Sequence, residues 1–594
     1  MKSARLSSQF LRMETNIHYS RRAYIAVAGL LTLVGVVRVL IGYSHTAQAF
    51  DEPYHVAAAI ELLDKHAYSL DPLHPPLQRI AIGLPLYFAG ERFPTLAQSD
   101  SSNEPYLCAV GNAVLNHGGH YSRNLVLARL GVLPFLLLGC AVVFFWADRE
   151  YGGAAGAAAV ALFSTAPIVL EFSGIAYTDI VAAATQAAAF WAFSIWLERK
   201  TTRAATWMGI ATGFALLAKF TSFIYLPAAA LSMMALKWVV TRSRHAQQTP
   251  AYKQTVKQIF IAGAIVIALV WAGYGFAIAH VRESMQLSAD SLPSFQHFPA
   301  PLGRIGRDLI VSDPMLPAPA LIRGVALAAV MEKSEPQGYL LGHTKPGGWW
   351  YFFLVGVAVK SPIPLLVLAA LSSFSFRRWW REGNWTAMAP AACAVAVLLV
   401  TMPVKINYGM RHVLVVFALL AILAGSGASY LWHLTGRNKV WGRAALAVLL
   451  LWQCLSTVRA SGDYIAYFNE LAGKDPSRVL VAGCDLDCGQ DLFALSRELH
   501  QRHVSQATLA LWTSADMSKM DMPQFEIAQP FHPVTGWFAI SLRALRFGDL
   551  FHTTYPPDAF SWLSQYQPVA QVGKTILLYY IPMGEGSPQK TMGN

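Results

Sequence analysis

Long apolar stretches separated by short polar turns dominate the first 460 residues of the chain. Eleven stretches have the length and composition to cross a bilayer: about 24–43, 124–147, 153–170, 179–197, 204–218, 222–240, 259–280, 349–371, 387–402, 412–431 and 443–458. A shorter apolar piece, about Leu77 to Ala89, cannot span and reads as an interfacial or re-entrant helix; the amphipathic stretch Val56 to Leu63 precedes it. After Arg459 the pattern changes. Arg478 to Val481, Ala507 to Trp512 and Thr575 to Ile581 read as strands, and Asp491 to Arg502 as a helix. The expected fold is therefore an α-helical polytopic membrane protein of about eleven transmembrane helices, with a small C-terminal α/β domain.

Composition agrees: 55% of residues are hydrophobic, 13% are charged and the mean hydropathy is +0.39, too few charges to coat several soluble domains. The net charge of +12 takes its meaning from where it sits. Arg21/Arg22, Arg149, Glu198-Arg199-Lys200, the loop from Lys237 to Lys257, Arg377/Arg378/Arg381 and Arg437/Lys439/Arg443 fall on one side if the N-terminus is cytoplasmic. This is a topology signal, and it sets nucleic acid aside as a partner. The organisation that follows is a cytoplasmic tail over 1–23, a transmembrane region over 24–458 with outer loops at 44–122 and 281–348, and an extracytoplasmic domain over 459–594. Ala47-Gln48-Ala49 looks like a cleavage site, but the apolar stretch before it has full spanning length and many spans follow, so we read an uncleaved anchor.

Several polar groups stand where topology does not ask for them. Asp51 and Glu52 directly follow the first span; a carboxylate there can act as general base at the membrane surface, and Asp51 is equally placed to cap a helix that has Pro53 in its first turn. Thr178-Asp179, with Glu171 before it, faces the same side, again as a cap or as a second functional acid. His74, in His74-Pro75-Pro76, is a candidate for contact with a substrate phosphate or a structural turn residue. Lys219, and the group Asn407, Arg411 and His412, put basic and polar side chains at outer turns, for phosphate recognition or for anchoring at lipid headgroups. Lys360 lies inside the eighth span, where an ammonium needs a partner or a cavity.

Six cysteines are too few and scattered for a disulfide framework. Only Cys484 and Cys488 are close; they form a small-loop disulfide in an oxidising compartment or remain two buried thiols. The acidic run from Asp485 to Asp491 lacks EF-hand spacing, and no nucleophile elbow, P-loop or His-Glu-x-x-His occurs. No cofactor is expected, and a divalent metal, though compatible, is not indicated.

Taken together, Asp51-Glu52 after the first span, His74-Pro75-Pro76, Thr178-Asp179, Lys219 and Asn407 to His412 resemble the GT-C membrane glycosyltransferases. The similarity is to protein O-mannosyltransferase-like and lipid A aminoarabinose transferase-like proteins (glycosyltransferase family 39-like), and it covers about 20–460. The resemblance implies inverting transfer of a sugar from a polyprenyl-phosphate donor to an acceptor outside the cytoplasm, at a bacterial inner membrane. It implies Asp51 as the base, with Glu52 and Asp179 in the catalytic group. His74, Lys219, Lys360, Asn407, Arg411 and His412 are the expected substrate-binding group, and the partners are the lipid-linked donor, an unidentified acceptor and membrane lipid. A secondary transporter or lipid flippase is the main competing class, but it would place its key charges near the bilayer midplane between repeats. A non-catalytic envelope assembly protein is the third.

Overall fold

The computed structural model describes residues 2–96, 106–242, 252–280, 282, 303–304, 307–308, 311–481, 483–550, 553–556 and 558–582. Seven helices among these are long and apolar enough to cross a membrane, or nine if two bent pairs each count as one span. The expected count of eleven is recovered only as helices. The stretch at 204–218 forms Thr202–Ala218 and that at 387–402 forms a shorter apolar helix over Thr386–Thr401.

The two bends have a common cause. Gly153–Ser164 and Pro167–Ser173 meet at 65°, and Phe352–Lys360 and Ile363–Glu382 at 107°, with Pro167 and Pro362 at the breaks. Proline has no N–H to donate and forces the preceding residue out of the helical region. Lys360 consequently ends a helix at the sharper break, rather than sitting part-way along a continuous span.

Met410–Trp432 is the central helix: 83% of its most apolar window is buried, against 17% for Arg21–Gly42 and for Lys253–Gly273, whose apolar sides are left to lipid. Gly427 on the central helix lets Ile363–Leu371 approach so closely that a Cβ there would lie 1.9 Å from the Leu368 carbonyl oxygen. The short apolar piece in the first long loop is indeed a separate helix, Pro76–Phe88, and it packs with Glu52–Ile60 and Tyr121–Leu130.

The C-terminal region carries a five-stranded sheet in the spatial order Ala570–Val572, Ile576–Ile581, Gly536–Ser541, Gln506–Ala510, Gln524–Ile527. Gln506–Ala510 runs parallel to both neighbours, and Ile576–Ile581 pairs antiparallel on both sides. Helix Leu492–Gln501 buries Leu492, Leu495 and Leu499, the spacing of one helical face. The expected strand over Arg478 to Val481 does not form: Asp475-Pro476 starts a single 3-10 turn instead, and the segment continues irregularly, its Val479 carbonyl accepting from Leu341 N at 3.0 Å.

Candidate active site

Asp51 occupies the N-cap position of Glu52–Ile60, yet its side chain makes no capping hydrogen bond. It is turned to Arg411, which donates from Nη1 to the Asp51 carboxylate. Of the two roles open to it from sequence, the cap is therefore not the one its carboxylate fills. The pair is partly exposed, 29% for the Asp51 side chain and 19% for Arg411. Burial pushes the Asp51 carboxyl up, but the Arg411 guanidinium beside it, helped by His55 and His74, holds it below the usual carboxylate range. The backbone N–H of Asp51 donates to the Tyr177 hydroxyl at 2.7 Å.

Asp51 and Arg411 line one open cleft of about 340 Å³ with Phe50, Gln337, Tyr408, Cys484, Trp512, Arg543 and Asp549 among its walls. Phe50 stacks on Trp512 at 3.9 Å between ring centroids, and the Arg543 guanidinium lies 4.0 Å from the Trp512 ring. The cleft is thus one part membrane region and one part C-terminal region.

A second ion pair joins the buried Lys219 and Asp179, Nζ to Oδ1. Neither side chain is among the residues lining the cleft. Lys219 is nevertheless within electrostatic reach of both Asp51 and Arg411, as is His74 of Lys219, and His412 of Lys219, Arg411 and His74. Six of the nine sequence candidates, Asp51, His74, Asp179, Lys219, Arg411 and His412, thus form one charge cluster.

The other three go elsewhere. Glu52 is fully buried and accepts from Arg129 Nε and Nη2 at 2.8 Å each, and from the backbone N–H groups of Ala49 and Ala176 at 2.7 Å each. Its carboxylate is engaged on both oxygens, so it acts as a structural bolt between three segments. Lys360 is also fully buried; it lies 3.5 Å from Glu171 and donates to the Ile465 and Asp485 carbonyls at 2.7 and 2.6 Å. The partner its ammonium requires is thus Glu171. Asn407 accepts from Trp349 N at 2.7 Å and fixes the turn at Gly347-Gly348.

What holds the cleft together is the loop from Cys484 to Asp491. The two cysteines form a disulfide. Phe50 N donates to the Cys488 carbonyl and Ala47 N to the Gln490 carbonyl, each at 2.9 Å, so the loop is stitched to the segment that carries Asp51. Asp485 accepts from Met410 N at 2.9 Å, one residue before Arg411. Gly409 and Gly483, at φ +91° and +71°, meet backbone to backbone; a Cβ on Gly483 would lie 2.3 Å from the Tyr408 carbonyl carbon. Only glycine adopts that conformation cheaply and fits that gap.

Tyr177, Tyr408, Trp512, Arg543 and Arg129 were not singled out from sequence. Tyr177 had a local signal, since it directly precedes Thr178-Asp179. Tyr408 lies within the group Asn407 to His412, whereas Trp512, Arg543 and Arg129 come from distant segments and stand in none of the motifs.

Residues 121–272 match the family model described as dolichyl-phosphate-mannose-protein mannosyltransferase. That is a membrane glycosyltransferase family. The match spans about a quarter of the chain and includes Asp179 and Lys219, and over those residues it bears out the resemblance drawn from the motifs. No curated protein matches by sequence. Among solved structures, the chain is similar to ArnT from Cupriavidus metallidurans bound to undecaprenyl phosphate, at 12% identity and a TM-score of 0.44, over 92% of this chain and 97% of that one. It is also similar to the Archaeoglobus fulgidus oligosaccharyltransferase in the apo form, at 13% identity and a TM-score of 0.46, over 84% of this chain and 64% of that one.

Proposed function

We propose that the protein transfers a sugar from a polyprenyl-phosphate donor to an acceptor hydroxyl or amine, with inversion, and that Asp51 is the general base. The observation that carries this reading is the Asp51–Arg411 pair at the wall of an open cleft: an uncapped, partly exposed carboxylate beside a guanidinium. The mannosyltransferase match over residues 121–272 supports the lipid-phosphate donor class.

The chemistry divides between the two partners. Asp51 accepts the acceptor's proton as the acceptor heteroatom bonds to the anomeric carbon. The bond from that carbon to the phosphate oxygen breaks, and its electron pair leaves with the polyprenyl phosphate. Arg411 offers a planar fork to the phosphate as negative charge grows there. A carboxylate held low by a guanidinium is a weak base, so the donor phosphate has a second effect: by drawing Arg411 to itself it releases Asp51 and raises its basicity. In this reading Lys219 and His74 add positive or hydrogen-bonding character to the phosphate side, and Asp179 orients Lys219. The cleft faces the outside of a bacterial inner membrane, with the N-terminus cytoplasmic.

The test is transfer of radiolabelled sugar from synthetic polyprenyl phosphate to membrane acceptors, comparing the natural protein with Asp51→Asn. General-base loss predicts a fall of about 10²- to 10⁴-fold with the fold retained. Undiminished transfer by a folded variant moves catalysis away from Asp51.

A further inference from the structure

Beside the Asp51–Arg411 pair, three side chains from two segments converge, and only His74 of them enters the transfer chemistry above, on the phosphate side. His55 lies on Glu52–Ile60, while Asp71 and His74 lie in the loop before Pro76–Phe88. One ligand atom from each, a ring nitrogen or a carboxylate oxygen, falls within 4.8 Å of the others. His74 Nδ1 is 2.9 Å from both Asp71 oxygens, and His55 Nδ1 is 3.4 Å from Asp71 Oδ2. His55 is 2% exposed, and its buried Nδ1 makes no well-formed hydrogen bond, its one polar neighbour being Asp71 Oδ2 within the cluster. Such an atom is costly unless something satisfies it.

From this juxtaposition we propose that His55, Asp71 and His74 bind one divalent transition-metal ion of the zinc class, leaving a coordination position open to water or to a phosphate oxygen. Two imidazoles and one carboxylate are a ligand set that suits such an ion, and three protein ligands with an open position are the pattern of a reactive rather than a purely structural site. In a tetrahedron with bonds of about 2.0–2.1 Å, ligand atoms stand roughly 3.3 Å apart. The two observed edges to Asp71 already bracket that value. The imidazole-to-imidazole edge closes by rotation of His74, whose side chain is 28% exposed and the freest of the three.

The support around the ligands fits the same reading. Asp71 has φ +46°, in the left-handed region, and is held there by the buried Arg79, which donates to the Asp71 carbonyl from Nη2 and to the Leu70 carbonyl from Nη1 at 2.9 Å. The Arg79 guanidinium in turn lies 3.8 Å from the centre of the Tyr68 ring. Outer partners of this kind orient metal ligands before the ion arrives. No short-range sequence pattern announces the site, because the ligands have fifteen and then two residues between them, unlike the familiar paired motifs.

The experiment is metal binding by the full-length, detergent-solubilised protein, stripped with a chelator and titrated with Co²⁺ in the absence of donor and acceptor. The expected result is one Co²⁺ per chain with visible d–d absorption, displaced by Zn²⁺. It should be lost in His55→Ala and in His74→Asn, and unchanged in His280→Ala, whose histidine belongs to a separate exposed contact with Asp313. Failure of the natural protein to bind Co²⁺ stoichiometrically overturns the proposal, as does retention of the ion by folded His74→Asn. Because His74 is partly exposed, that variant keeps the test decisive even if the buried His55→Ala does not fold. The readout needs no transfer, so its failure leaves the proposed reaction standing, and failure of the reaction leaves the metal site standing.

Discussion

Asp51 and Glu52 are neighbours in sequence and each pairs with an arginine, yet the two pairs live in different solvents. Glu52 and Arg129 are both 0% exposed and joined by two parallel hydrogen bonds, whereas Asp51 and Arg411 meet at a cleft wall and stay partly exposed. In the buried pair every bond serves the fold, since loss of either partner strands a charge where nothing can replace it. In the cleft pair the same two chemical groups can part, because water can take up what each loses. The difference follows from the direction of the helix start: one residue further along, the side chain points inward, to the meeting of 47–49, Ala176 and Arg129.

That contrast can be broken experimentally. The largest effect should be on transfer by Asp51→Asn, a loss of about 10²- to 10⁴-fold with unchanged unfolding temperature, measured with the labelled donor. Arg129→Met should do the opposite, costing about 3–5 kcal/mol of stability. In thermal unfolding it appears as a strongly lowered transition or as no folded protein. Any fraction that folds should keep the natural turnover.

A third prediction turns on pH. Burial raises the Asp487 carboxyl to about 6, against the pull of backbone N–H donors from Arg543 and Gly489. A raised carboxyl binds its proton more tightly in the folded state, so its stabilising share is complete below pH 4 and is lost as pH rises through 6. The shift corresponds to about 3 kcal/mol at most. Asp487→Asn should therefore flatten the fall in unfolding temperature between pH 4 and 7, and a variant whose profile follows the natural one would refute this. The smallest effect belongs to Arg411→Lys, which keeps the charge and loses the fork. About a tenfold loss of transfer, carried mainly by KM for the donor, is expected if Arg411 grips the phosphate in both ground and transition states.

The apolar helices were legible because lipid imposes a simple rule: a segment that crosses must satisfy its own backbone and show apolar side chains. Every apolar stretch picked out along the chain forms a helix over most of its length, including the short one at 77–89, although the end of 259–280 leaves its helix after Gly273 for a short strand at Ile278–His280. The sharp break after Lys360 departs from the single span expected over 349–371, because whether a proline kinks a span or divides it depends on what the freed backbone meets. Here Asn469 donates to the Ala358 and Ser361 carbonyls at 2.6 Å each, from more than a hundred residues away.

The same distinction separates the site residues. Sequence alone determined which polar groups stood out of place beside apolar spans, and so it offered Asp51, Asp179, Lys219 and Arg411 as candidates, since an ionisable group at a membrane boundary needs a reason that a local reading can detect. Which of them pair, that Glu52, Lys360 and Asn407 are committed to the fold, and that Trp512 and Arg543 complete the cleft were decided only by tertiary structure. Burial and partnership are properties of segments far apart in the chain, brought together by close backbone contacts such as that between Gly409 and Gly483, and no local pattern encodes them.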